Sequence, residues 1–298
     1  MHERTFILVL TMKSTVFACA LSMCLLGATT LAQWPKHAPA GIPLTPDGKV
    51  DMNAPAPRTA DGKPDLSGVW ETFQPRRPAP TTPAVAAAGT GEAPPAAARS
   101  LFFNAGADIP SGVAPYQPWA EELMKKRRAD NSKDNPDALC LPMGIMQMTT
   151  HPYPRKIIQT PREVIVIYEG SGTTVRELFM DGRSLPPKDV EPWWNGYSVA
   201  RWEGDTLVAE TTGLMDDGWL DVQGSPLTSA AKLTERFRRT NYGTLEIEVT
   251  IDDPKAYTRP FTATVHNRLL PDTQLIEFVC IEKSGAHYVG ADGKPAQK

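Results

Sequence analysis

Residues 232–269 read KLTERFRRTNYGTLEIEVTIDDPKAYTRPFTATVHNRL. Within this stretch Leu245, Ile247, Val249 and Ile251 alternate with Glu246, Glu248, Thr250 and Asp252. Side chains of a strand point to opposite faces with a period of two, so this is a strand with one apolar face and one acidic face. Lys232–Arg239 and Phe261–Leu269 flank it as further extended runs. Asn241-Tyr242-Gly243 and Asp253-Pro254 supply the turns between them. The same grammar continues upstream: extended runs are expected at 156–159, 164–169, 173–180, 197–202 and 206–212, and one more downstream at 274–281. With a short strand around Val69, nine or ten strands are expected. No helix-length crossover separates the runs from Lys156 to Ile281, which excludes a parallel α/β sheet. A long antiparallel meander must hide its edges, and closing into an up-and-down β-barrel does so; a β-sandwich is the alternative.

The chain has 298 residues, 29 of them proline, and a net charge of −3. That near-neutral balance carries no electrostatic footprint for nucleic acid. Residues 1–32 read as a signal peptide. Basic residues precede an apolar core at 16–26, and Thr30-Leu31-Ala32 offers small residues for cleavage before Gln33. Met12 is a natural alternative start. Lipid anchoring at Cys24 fits worse, because bulky Met23 precedes it. The expected location is therefore periplasmic or secreted, with no integral membrane segment after cleavage. Residues 33–64 form an extended segment in which Asp47-Gly48-Lys49 and Asp61-Gly62-Lys63 read as separate surface turns rather than a repeat. A single barrel domain is expected over 65–282, with a tail at 283–298. Residues 75–99, almost wholly Pro, Ala, Thr and Gly, read as a disordered insertion. One helix is expected at 118–129, with Pro118 in its first turn. Two cysteines, Cys140 and Cys280, remain after cleavage. An oxidising compartment favours a disulfide between them; two buried thiols or a nucleophilic cysteine are the alternatives.

Gly68-Val69-Trp70, ahead of a meander, resembles the G-x-W signature of lipocalins and the wider calycin group. There the tryptophan closes one end of the barrel, which implies a structural role for Trp70. The chain also resembles a widespread, functionally uncharacterised family of exported bacterial proteins, through Asp65–Trp70, Cys140–Gly144, Trp202–Val208, Thr234–Phe237 and Asp252–Thr258. That resemblance implies a fold and a compartment, and no activity. The long insertion between Glu71 and Lys156 departs from the lipocalin pattern.

Polar residues in an apolar register mark where chemistry could sit. Glu235 shares a face with Leu233 and Phe237, Glu177 with Val175 and Phe179, and Asn267 with Val265 and Leu269. Glu277 falls between Leu275 and Val279, though the opposite face of that run is as apolar. An inward carboxylate must meet a cation or hydrogen-bond donors, or carry a raised pKa. Arg176, Arg236 and Arg268 are partners only if a bulge turns them inward. Trp193 and Trp194 form an aromatic patch suited to stacking a ligand at a barrel mouth or to plugging its end. Histidine pairs at metal-ligand spacing are absent, Asp130, Ser132 and Asp134 lack the rest of a calcium loop, and no phosphate loop, dinucleotide fingerprint or serine-hydrolase elbow occurs. No metal or cofactor is expected. The reading is a non-catalytic exported protein binding a small apolar or amphipathic molecule, with Glu235, Glu177, Asn267, Arg236, Trp193 and Trp194 as candidate ligand contacts. A cofactor-free enzyme using Glu235 as general acid–base, or an envelope scaffold, are the alternatives.

Overall fold

A computed structural model describes residues 41–73, 103–105, 109–170, 174–187, 189–276, 278 and 280. The signal peptide expected at 1–32, the insertion expected at 75–99, Glu277 and the tail at 283–298 lie outside the described residues. Nine strands form a closed barrel: β1 (Gly68–Phe73), β2 (Arg155–Gln159), β3 (Glu163–Tyr168), β4 (Val175–Phe179), β5 (Tyr197–Glu203), β6 (Thr206–Thr212), β7 (Lys232–Arg239), β8 (Thr244–Asp252) and β9 (Phe261–Leu269). Each pairs with the next, and β9 closes antiparallel onto β1, with Trp70 opposite Leu269. The run expected at 274–281 adds no strand among its described residues.

Eight of the nine seams are antiparallel; β4 and β5 pair in parallel, through Leu178–Ser198 and Phe179–Val199. Parity requires this. Strand directions can alternate around a closed ring only when the strand number is even, so a nine-stranded ring of sequential neighbours needs a parallel seam. The antiparallel series expected from sequence is therefore broken once, by the connection between Phe179 and Tyr197. The barrel itself is as expected: Leu245, Ile247, Val249 and Ile251 of β8 all point into the core and are buried.

The described residues also hold two α-helices, α1 (Pro118–Ala129) and α2 (Ile145–Thr150), where the sequence pattern predicts one. All six residues of α2 are buried. A helix covered on every side shows no 3.6-residue amphipathic stripe, so periodicity could not reveal it.

The two barrel ends are closed differently. At one end, the turns at 45–49 and 59–63 form a tandem repeat, contrary to the expectation of unrelated turns. Residues 43–51 (PLTPDGKVD) and 57–65 (PRTADGKPD) match at Pro, Thr, Asp-Gly-Lys and the final Asp. Their hydrogen bonds match too. Thr45 N donates to Lys49 O and Thr59 N to Lys63 O; Gly48 N donates to Thr45 O and Gly62 N to Thr59 O, all within 2.8–2.9 Å. The residues just after the first copy, and the second copy itself, each grip a hairpin turn of the barrel. Gly243 N donates to Met52 O at 2.9 Å, and the Arg58 guanidinium spans both carboxylate oxygens of Asp205 at 3.0 and 2.6 Å. Beneath this clasp Trp70 is fully buried, donates Nε1–H to Leu66 O at 3.0 Å and lies under the Arg239 guanidinium at 4.9 Å. Gly68 is required there. Its φ is +146°, and a Cβ would stand 2.6 Å from Leu269 Cδ1. The opposite end carries α1, α2 and the loops at 213–231 and 253–260. There Cys140, following a 3₁₀ turn at Pro136–Leu139, is disulfide-bonded to Cys280.

Candidate functional site

Beneath α2 the barrel core turns polar. From β4, Arg176 points inward and is 3 % exposed. Its Nη1 donates to Glu235 Oε1 at 3.0 Å and its Nη2 to Glu235 Oε2, a two-point pair with the inward carboxylate of β7. Nη2 also reaches Ser198 Oγ of β5 at 3.1 Å and Thr211 Oγ1 of β6 at 3.0 Å; those two hydroxyls share a hydrogen bond of 2.8 Å. The pair thus bridges the parallel seam, tying β4 to β7 across two intervening strands. Burial alone would lower the Arg176 pKa, but the Glu235 charge outweighs it and raises it.

A second guanidinium, Arg155 of β2, is 1 % exposed. It donates to the carbonyls of Thr149 and His151, at the C-terminal end of α2, and to the Thr72 hydroxyl of β1. Tyr168 of β3 presents its ring 5.8 Å from Arg155 and also interacts with Arg176. Burial pushes the Arg155 pKa below the usual arginine range, opposed by Tyr168 and Glu235. His151 is held neutral: burial, then the Arg155 charge, brings its pKa down to about 4. Asn267 of β9 is fully buried and donates Nδ2–H to Leu245 O at 3.2 Å.

Side chains fill this lumen. Met143, Met146 and Met148 are each about 1 % exposed, and the internal space bordered by Met143, Met148, His151, Tyr153, Pro154, Tyr168 and Gly170 measures about 10 Å³. That is room for one water at most. A larger cleft of about 390 Å³ lies outside the barrel, between α1 and the loop at 112–116, lined by Tyr116, Glu121, Met124 and Arg128 among others.

Among the residues singled out from sequence, Glu235 and Asn267 do face the interior. Four others do not: Glu177, Arg236, Arg268 and Trp193. Glu177 shares a face with Val175 and Phe179, as expected, but that face is the outer one: Val175 is 52 % exposed and Glu177 is exposed with it. The apolar pair misled because the interior parity of β4 is set by Arg176 and Leu178. Arg236 projects outward to Glu203 Oε2 at 3.1 Å, and Arg268 outward to Glu71. Trp193 is 58 % exposed, 6.0 Å from Tyr197, outside the core rather than plugging it; Trp194 is half-buried. Arg183, stacked on Phe179 at 3.8 Å, extends this outer aromatic row. Sequence reading missed Arg155, Tyr168 and Thr72. A period-two reading begun at Arg155, one residue before the predicted start of β2, would have placed Arg155 with inward Ile157.

No group of three or more His, Cys, Asp or Glu able to hold a metal ion occurs among the described residues. Compared with protein-family models, with curated proteins and with solved structures, the chain matches none.

Proposed function

We propose that this chain is an exported, lipocalin-like binding protein that takes a small apolar or amphipathic molecule into the helical end of its barrel. One observation carries the reading. Arg155 Nε and Arg176 Nε in the barrel core, and Gln147 Oε1 on α2, are buried without hydrogen-bond partners among the described residues. Buried polar groups are almost always satisfied, and leaving one unmatched costs about 1–3 kcal/mol. A guest with a polar head answers that deficit. Beside them lie Met143, Met146 and Met148, unbranched side chains that repack readily and suit a surface that must accommodate a guest. Because side chains fill the lumen, a guest displaces part of the cover rather than entering an open cup.

Glu235 serves as the internal anchor. A general acid–base would need a carboxylate facing a solvent-connected pocket; Glu235 is 1 % exposed and spent on Arg176. Placement outside the cytoplasm rests on the signal-like residues 1–32 and on the Cys140–Cys280 disulfide. No described helix is long and apolar enough to cross a membrane. The test is titration of the purified mature chain with an environment-sensitive apolar dye, with native mass spectrometry to count bound molecules. Saturable one-to-one uptake is expected. A protein that takes up neither dye nor any co-purifying small molecule overturns the proposal.

A further inference from the structure

The two guanidiniums inside the barrel are not equally matched. Arg155 and Arg176 are both buried, and Glu235 is the only carboxylate acting on either among the described residues. Arg176 holds both oxygens of Glu235. Arg155 is left with neutral acceptors only: two carbonyls and a hydroxyl. Arginine does not deprotonate to escape, so Arg155 keeps a buried positive charge with no carboxylate in contact among the described residues. A buried charge is normally paired, because desolvation costs several kcal/mol.

The surroundings of Arg155 supply an approach. Tyr168, which faces its guanidinium, also lines the small internal space, together with His151 and Tyr153. Tyr153 closes that space toward solvent. Its ring stacks on His151 at a centroid distance of 4.4 Å, it is 44 % exposed, and it lies so tightly on Gly170 that a Cβ there would come within 2.5 Å of Cδ2. The motion that opens the site is a swing of this half-exposed ring away from His151, Gly170 and Phe278. That swing vacates a ring-sized volume against His151, Met148 and Tyr168, on the path to Arg155.

We propose that this space is a binding site for a compact monocarboxylate, its body taking the place of the Tyr153 ring against His151 and its carboxylate neutralising Arg155. The inference rests on the binding reading above and specifies its ligand class. Neutral His151 suits the role, since it offers a stacking face and adds no second charge.

The test titrates the full mature chain with benzoate, with its neutral analogue benzamide and with chloride, following tyrosine and tryptophan fluorescence and thermal midpoint. Benzoate is expected to bind at least tenfold more tightly than benzamide, and to raise the midpoint where equal chloride does not. In Arg155→Met the preference for benzoate over benzamide is expected to vanish. If Arg155→Met does not fold, Gly170→Ala serves instead: crowding Tyr153 outward, it is expected to tighten benzoate binding several-fold. Equal affinity for benzoate and benzamide overturns the anion site but leaves dye uptake, and so the broader binding reading, intact. Equal stabilisation by chloride overturns the carboxylate in favour of an inorganic ion. Absence of dye, benzoate and benzamide binding together overturns both.

Discussion

The two ends of the barrel reach closure by opposite physics. At the clasp end two copies of one turn sequence hold barrel hairpins through backbone hydrogen bonds and an exposed Arg58–Asp205 pair, above a Trp70 capped by Arg239. Every strong feature there is either solvated or locally saturated. At the helical end a wholly buried six-residue helix, two buried guanidiniums, one carboxylate and a disulfide are packed together, with polar atoms left unmatched. The contrast separates an end whose polar groups are matched from one where some are not. A structural closure spends its polar groups. The end that keeps some in hand is where the proposed guest would sit.

Removing charge at the helical end should therefore hurt most. Glu235→Ala leaves two buried cations with no counter-charge and is expected to cost about 3–5 kcal/mol in urea unfolding, whereas replacing Arg176 and Glu235 together by Met and Leu should recover most of the loss. If both variants lose equally, the pair stabilises through shape rather than charge. Replacing Cys140 and Cys280 by Ala comes next. The bond spans a separation of 140 residues and constrains the unfolded chain, so a loss of about 3 kcal/mol is expected. A reductant should reproduce it in the native protein and leave the double variant unchanged.

The clasp end should yield less. Gly68→Ala forces a side chain into a conformation reserved for glycine and against Leu269, for an expected loss of about 2 kcal/mol with ligand uptake at the far end unaltered. A change in uptake would show the ends to be coupled. The gentlest probe is pH. The folded pKa of His151, about 4, lies below its ordinary 6.5, so as pH falls the unfolded chain binds the proton first. Stability attributable to this group is intact above about pH 7 and drains away between 6.5 and 4, by roughly 1 kcal/mol per pH unit. His151→Gln should flatten that slope; an unchanged slope would assign it elsewhere.

The wall of the barrel could be read from the chain because β8 and β9 alternate between a mostly apolar and a polar face over nine residues each, long enough to fix parity. β4 could not. Val175, Leu178 and Phe179 put apolar residues on both parities, and only the reach of Arg176 to Glu235, 59 residues away, decides which face turns in. α2 was hidden because burial on all sides erases periodicity. The tandem turns were visible as matching letters in 43–51 and 57–65, yet their shared hydrogen bonds and their grip on separate hairpins needed coordinates.

The sequence by itself determined the class of fold, the inward placement of Glu235 and Asn267, and the two cysteines available to bond. These follow from local alternation and composition, which each strand carries without reference to its neighbours. Tertiary structure alone decided the parallel seam, the helical plug and the gathering of Arg155 and Arg176 near the single carboxylate of Glu235. Those depend on how many strands close the ring and on which distant side chains meet inside it, and no local pattern encodes a count taken around a circle.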